Sequence, residues 1–534
     1  MMVSSKIFIC DRNNFPKKLQ QSVPIICIDD LPLYKYFMRS HKLSRSFNSL
    51  VLNNHNELLQ PMHLSLLKLS DKSLFESARI VEILLEHKDK KIILRTQHNE
   101  LVQLIIQSIY PDFKNIEYVA ANKKKERSFF RHVLYSFVLL VNSFFVRRYN
   151  NKNVFVMHND KISFEFFKPY QNICLAYPMY TKSINIKPLN YELNKYLNKK
   201  FITWKYFKQG FFNYFSNKKR IKNSNLPLVL KKLYCRDLIR LEVNSSIIIS
   251  LKDKFPALEN VFGIFDTNSI IDYATFHLNK ENIKTVCIPH GVNFKYKVNY
   301  ISYGVNTYTF WSKNHMDRME ESNLVNNENT QKIITGNIIY KKMLSNADKN
   351  INLDVNGSEY RKILVIGEYF SNDDFYGSPF NKEASKLLFD TLEEFYKTNC
   401  DVKITIRTRL DDGYYELAKT YCSENIAISS PKKSIIDEMN SHDLIISVFS
   451  NALHEGLLLK KKVLQVNLLE IENYRDLAKD ELVYYADSVE KLNVILYDWY
   501  NNKLPLLDYQ KHLELYANNG EFRVINSEVL NDSY

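Results

Sequence analysis

Polar side chains gather in this sequence where apolar runs end. Residues 284–291, KTVCIPHG, carry a β-branched run into Pro289, His290 and Gly291. Proline fixes the approach, glycine permits a tight strand-to-helix turn, and the imidazole between them is presented rather than buried. Such a histidine can accept a proton from an incoming hydroxyl or donate to a phosphate. Asp266 closes NVFGIFD (260–266) and is the rival base. Its plainer reading is a cap, with Thr267 and Asn268, on the helical pattern SIIDYATFHL.

A second constellation lies in HDLIISVFSNALHEG (442–456). A buried strand stops at Ser450 and a helical run begins at Asn451, which makes Ser450 the expected N-cap. The adjacent amides form an anion-binding terminus suited to a nucleotide phosphate. Glu455, about one turn on, can accept hydrogen bonds from ribose hydroxyls, or be a solvated helix residue; His454 reads as structural. In VKITIRTR (402–409), Arg407 and Arg409 alternate with Thr408, so both guanidinium groups can face one side of a sheet edge and neutralise a diphosphate. Glu368, near the end of KILVIGEYF (362–370), is a further candidate, while Asp411, Asp412 and Gly413 read as a turn.

Short β-branched runs alternate with helical patterns along most of the chain, which predicts βαβ units and mostly parallel sheets. A chain of 534 residues exceeds what one core usually serves, so at least two domains are expected. The polar stretch 345–360 is the best linker. It divides an N-terminal Rossmann-like domain over 1–345 from a nucleotide-binding Rossmann-like domain over 355–500. The tail, 501–534, is expected to pack back on the first domain. Residues 190–245, rich in lysine, asparagine and aromatics, read as a basic helical insertion that could hold a glycan, a lipid surface or RNA. The bland alternative is a solvated helix with its aromatics packed beneath.

A formal charge of +14 favours anionic partners, although lysine-rich composition alone would produce it. The seven cysteines form no close pair, so neither a zinc site nor a disulfide framework is signalled. Residues 132–146, HVLYSFVLLVNSFFV, with arginines and lysines on either side, are too short to span a bilayer. They read equally as an interfacial helix or a core helix. The N-terminus shows no clear secretory cleavage pattern. No G-x-G-x-x-G, P-loop or H-x-E with C-x-x-C pattern occurs, which counts against nicotinamide enzymes, P-loop ATPases and zinc deaminases.

The strand, Ser450, short helix with Glu455 and following strand resemble the nucleotide-sugar half of GT-B glycosyltransferases. The series CIPHG, FWS (310–312) and IITGN (333–337) is similar to one seen in capsule, lipopolysaccharide and teichoic-acid-type members. The resemblance covers about 260–470. It departs from the pattern at IRTRLDDG (406–413), where many members have His-Pro, and at Lys460, Lys461 and Lys462, which replace a Gly-Lys-Pro. It implies two Rossmann-like domains facing a cleft, and transfer of a sugar from a nucleotide-sugar donor to a bacterial surface glycan or glycolipid. Asp266 or His290 would be the base; Gly291, Glu368, Arg407, Arg409, Ser450, Asn451 and Glu455 would bind the donor. No metal and no cofactor beyond the donor are expected, since no Asp-x-Asp stands at a strand end. The implied location is cytoplasmic, at the inner face of the membrane. A polyol-phosphate transferase using a CDP-activated donor stays open beside it, as does a non-catalytic protein binding nucleic acid or membrane.

Overall fold

A computed structural model describes residues 6–11, 14, 23–28, 31, 33–54, 60–121, 154–157, 173–175, 204–254, 258–263, 269–289, 304–322, 330–350, 361–367, 378–408, 414–429, 433–448, 450–469 and 476–523. The apolar run at 132–146, the segment 190–203 and the last residues of the tail lie outside them.

All the described strands pair in parallel, as the alternation of strand and helix patterns predicts, and they form three sheets. The first holds β1 (Lys6–Cys10), β2 (Ile25–Cys27), β3 (Lys91–Arg95) and β4 (Ile116–Tyr118) in the order β2-β1-β3-β4. Its helices are α1 (Leu33–Asn54), α2 (Gln60–Leu85) and α3 (Asn99–Ile109).

The second sheet has the order β10-β9-β8-β7-β5-β6. Its elements are β5 (Val154–Met157), β6 (Ile173–Leu175), α4 (Trp204–Asn223), α5 (Leu228–Ile249), β7 (Asn260–Gly263), α6 (Ser269–Asn279), β8 (Lys284–Cys287), β9 (Thr307–Phe310), α7 (Lys313–Ser322), β10 (Gln331–Ile334) and α8 (Ile338–Asn350).

The third sheet runs β13-β12-β11-β14-β15-β16. It is built from β11 (Arg361–Ile366), α9 (Ser378–Thr398), β12 (Val402–Arg407), α10 (Tyr414–Tyr421), β13 (Ala427–Ser429), α11 (Ile435–Asn440), β14 (Leu444–Ser447), α12 (Ala452–Leu458), β15 (Lys462–Val466), β16 (Tyr484–Ala486) and α13 (Val489–Tyr500). Helix α14 (Tyr509–Tyr516) follows.

Segment 1–345 thus holds two sheets, yet they share one core. Ile7, Ile9, Ile92 and Leu94 of the first sheet and Val261, Cys287, Tyr308 and Phe310 of the second belong to a single apolar cluster. Helices α2, α5 and α6 pack on one another and join them. The described helices within 190–245 contribute to this core. Leu230, Tyr234, Leu238, Ile239, Leu241 and Val243 of α5 are fully buried, so this helix is central to the core. Its apolar positions recur on a helical period, but the charged α4 before it masks that signal in composition.

Helix α4 lies close against α5 because residue 210 is glycine: a Cβ there would stand 2.7 Å from Val243 Cα. Gly210→Ala is therefore expected to cost about 1–3 kcal/mol through overpacking against backbone. Urea denaturation checks this, and an unchanged midpoint would show that the two helices do not meet so closely.

A separate apolar cluster joins the second sheet's last elements to the third sheet. Trp311, Tyr340 and Met343 pack with Ile366, Leu457 and Tyr516. The chain then returns: the Arg523 amide donates to the Thr335 carbonyl at 2.8 Å. Gly336, at φ 73, takes the left-handed conformation there, and a Cβ on it would fall 2.0 Å from the Glu521 carbonyl oxygen.

Candidate functional site

Numbering β11 to β16 as one to six, the third sheet reads 3-2-1-4-5-6, so the winding direction reverses between β11 and β14. Connections leave these two strands toward opposite faces, which opens a crevice at their carboxyl ends. In open parallel sheets ligands bind in that crevice.

The edge there is polar. Ser447 Oγ donates to the Ile366 carbonyl at 3.0 Å, bridging the two strands where their ladder ends. The Gly367 amide donates to the Arg407 carbonyl at 2.9 Å, extending the same edge to β12. Register places Ser447 opposite Gln465. Ile445 and Val463, two residues earlier on each strand, belong to the cluster beneath α12, whereas Ile446 and Leu464 belong to the cluster on the other face. Strand alternation therefore puts Ser447 and Gln465 on the α12 side. Gln465 is 3% exposed, and its Oε1 has no hydrogen-bond partner among the described residues. A buried carbonyl oxygen without a donor costs free energy that a bound donor would recover.

Helix α12 starts at Ala452, one residue later than expected, with Asn451 at the cap position and making no side-chain cap bond. Ser450 still serves the terminus: its Oγ accepts the Ala452 amide at 3.3 Å and its carbonyl accepts the Leu453 amide at 3.1 Å. Glu455 sits half-buried in the first turn of α12. Its charge, second to burial itself, pushes the Tyr340 phenol well above its ordinary range, so the carboxylate lies toward α8.

Arg407 has protein partners of its own. It stands at the end of β12, but its guanidinium is ion-paired with Glu438 of α11 and donates to the Lys433 carbonyl at 2.8 Å. With side chains 11% and 8% exposed, the pair is largely withdrawn from solvent and pins the approach to α11. Sequence alternation placed the arginine at the edge correctly but carries no information about Glu438, whose partner is fixed only by the fold. Lys461, in the run Lys460 to Lys462, donates to the Asn440 carbonyl at 2.8 Å, covering the C-terminus of α11. Burial lowers its pKa.

Asp266, His290, Gly291, Glu368 and Arg409 lie outside the described residues. The strands that lead to the first two, β7 and β8, are parallel neighbours, with Gly263 opposite Cys287. Strand β8 is followed by buried Ile288 and Pro289. Sequence reading missed Ser447 and Gln465. Both are polar residues within apolar strands, a signal that strand periodicity alone would have exposed. His454 is buried and hydrogen-bonded through Nδ1 to His512 Nε2 at 3.1 Å, joining α12 to α14. Among the described residues no group of three or more His, Cys, Asp or Glu is placed to hold a metal ion, and no helix is long and apolar enough to cross a membrane.

No protein-family model matches the chain, and no curated protein sequence does. Solved structures with similar shape include a UDP-GlcNAc 2-epimerase from Neisseria meningitidis bound to UDP-GlcNAc, at 13% identity and a TM-score of 0.40, covering 69% of this chain and 95% of that one. A glycosyltransferase from Rickettsia africae matches at 14% identity and a TM-score of 0.41, covering 70% and 96% respectively. The Anabaena protein HepE, in complex with UDP and glucose, matches at 11% identity and a TM-score of 0.39, covering 70% and 94%. Scores of this size assign neither family nor residue roles to the chain.

Proposed function

We propose that this chain is a metal-independent glycosyltransferase that binds its nucleotide-sugar donor at the carboxyl edge of the third sheet. The observation that carries the reading is the reversal of strand order between β11 and β14, where Ser447, Gln465 and the start of α12 converge. The nucleotide would lie over that edge, its phosphates toward Ser450 and Asn451, its ribose hydroxyls toward Glu455, with Glu368 and Arg409 beside them. Arg407 would act through its ion pair, holding the approach to α11 in place.

The second sheet faces the donor across a cleft in the GT-B manner and carries the acceptor. Asp266 or His290 removes the proton from the acceptor hydroxyl. The hydroxyl oxygen forms a bond to the anomeric carbon as the bond from that carbon to the phosphate oxygen breaks, releasing the nucleotide with its negative charge on that phosphate. The similarity of CIPHG, FWS and IITGN to surface-polysaccharide enzymes supports a bacterial glycan or glycolipid acceptor at the cytoplasmic face of the membrane.

Calorimetric titration with UDP, GDP, CDP and CMP tests the reading. One nucleotide should bind saturably, and Glu455→Ala should weaken it about ten- to a hundredfold, the effect of losing hydrogen bonds to a charged group. The melting temperature without ligand should stay close to that of the native chain. Native protein that binds none of the four sinks the proposal; retained affinity in the variant removes Glu455 from the site.

A further inference from the structure

Helix α4, WKYFKQGFFNYFSNKKRIKN, contains six cationic side chains and no carboxylate. Its inner face is occupied: Tyr206, Phe207, Tyr214 and Ile221 are buried, and Gly210 meets α5. The opposite face forms one stripe at helical spacing, Lys205, Lys208, Phe212, Phe215, Lys219 and Lys222, and every member is exposed. Phe212 is 70% exposed and Phe215 63%. Leu228, the first residue of α5, is 67% exposed. Two aromatic anchors thus sit midway along the stripe with a lysine pair at each end.

We propose that this face of α4 docks the protein on an anionic phospholipid surface. The arrangement suits a bilayer interface, where the two phenylalanine rings enter the headgroup boundary and the lysine stems lie flat and reach up to phosphates on either side. The stripe is about 26 Å long at 1.5 Å per residue, long enough to meet several headgroups at once. A single-stranded nucleic acid would also accept stacked aromatics and lysines. The lysines stand in pairs at both ends of the stripe with only two rings between them, an arrangement that seats cations on a charged layer around a shallow apolar anchor rather than stacking successive bases. The helix itself carries no carboxylate, so its own formal charge is wholly positive. The face lies on the part of the chain that precedes the third sheet, so the inference stands or falls independently of nucleotide binding.

Co-sedimentation of the full chain with vesicles provides the test. Protein should pellet with phosphatidylcholine vesicles containing about a third phosphatidylglycerol, less so as salt is raised, and little with phosphatidylcholine alone. The double substitution Phe212→Ser, Phe215→Ser should lower the partition coefficient at least about tenfold, removing two anchors. Lys205→Gln with Lys222→Gln should weaken it further at low salt. Val494→Ser, at another exposed apolar position on α13, should leave binding intact. Melting temperatures separate lost docking from lost folding, since all the altered side chains are solvent-exposed. Equal binding to neutral vesicles, or variants that pellet like the native chain, would overturn the proposal. So would binding to a homopolymeric RNA, lost in the phenylalanine variant, without any vesicle binding.

Discussion

Moving the protein from pH 7.5 to pH 5 is expected to remove several kcal/mol of stability, through three histidines buried where α7, α12 and α14 meet. His315, His454 and His512 are 5%, 6% and 0% exposed. Burial lowers the His315 pKa to about 3, with Arg318 adding repulsion, and lowers that of His512 to about 4. His454 falls well below its ordinary value for the same reason, reinforced by His512, Arg318 and His315. In the unfolded chain each titrates near 6.5, so below that pH the unfolded state binds more protons and stability falls as pH falls. Each group contributes about 1.4 kcal/mol per pH unit, so three together lose up to about 4 kcal/mol per unit between pH ~6 and ~5. Glu242 works in the opposite sense. Burial raises its pKa to about 7 against hydrogen bonds from Asn217 and Tyr273, so its contribution is present in acid and fades as pH rises through 7. Denaturation midpoints at several pH values measure the slope. His454→Gln with His512→Gln should make it shallower, while His315, His277 and His442, whose pKa values burial also lowers, keep part of the slope. A native midpoint that does not move between pH 7.5 and 5 would show that these histidines are open to solvent in the folded protein.

The histidine seam marks where sequence reading stopped. Strand runs such as KILVIG and DLIIS announce themselves through β-branched residues, and the glycine- and serine-bearing ends that follow them predict which sheet edge is polar. Helix α12 was legible to within one residue because Ser450 is a recognisable terminus residue. Sheet membership was not legible. Nothing local in β1 to β4 says that they pair among themselves rather than joining β5 to β10, because every parallel strand carries the same apolar pattern and pairing is decided through long crossovers. The partners of buried polar groups were equally hidden. Glu438 lies far from Arg407 in sequence and His512 far from His454, and their meetings depend on which helices pack together. Exposure inside an aromatic helix is a further case. Composition gave α4 its lysines and phenylalanines, but only packing against α5 shows that Tyr214 turns inward while Phe212 and Phe215 face water.

The same long-range pairing makes Asp272→Ala the most destabilising single substitution expected here. Asp272, in α6, is 0% exposed and accepts from Lys68 Nζ at 3.3 Å and from the Gly304 amide at 3.0 Å. Lys68 belongs to α2, so the carboxylate ties the helical layer of the first sheet to the second sheet and to the segment entering β9. The lysine side chain is itself 1% exposed. Removing the carboxylate leaves that ammonium buried without this counter-charge, which costs about 3–5 kcal/mol, more than the net worth of the pair itself. Asp272→Asn keeps an acceptor for the Gly304 amide and should lose less. Lys68→Met combined with Asp272→Leu should regain much of the loss, because neither charge then remains in the core. Urea denaturation of the native chain and these three variants tests the ordering. A single Asp272→Ala cost below about 1 kcal/mol would place the pair in the solvent-screened class of surface ion pairs. Because α6 follows Asp266 in the chain and β8 leads to His290, any loss of the proposed transfer activity in these variants should track unfolding and disappear when assays are run well below the melting temperature.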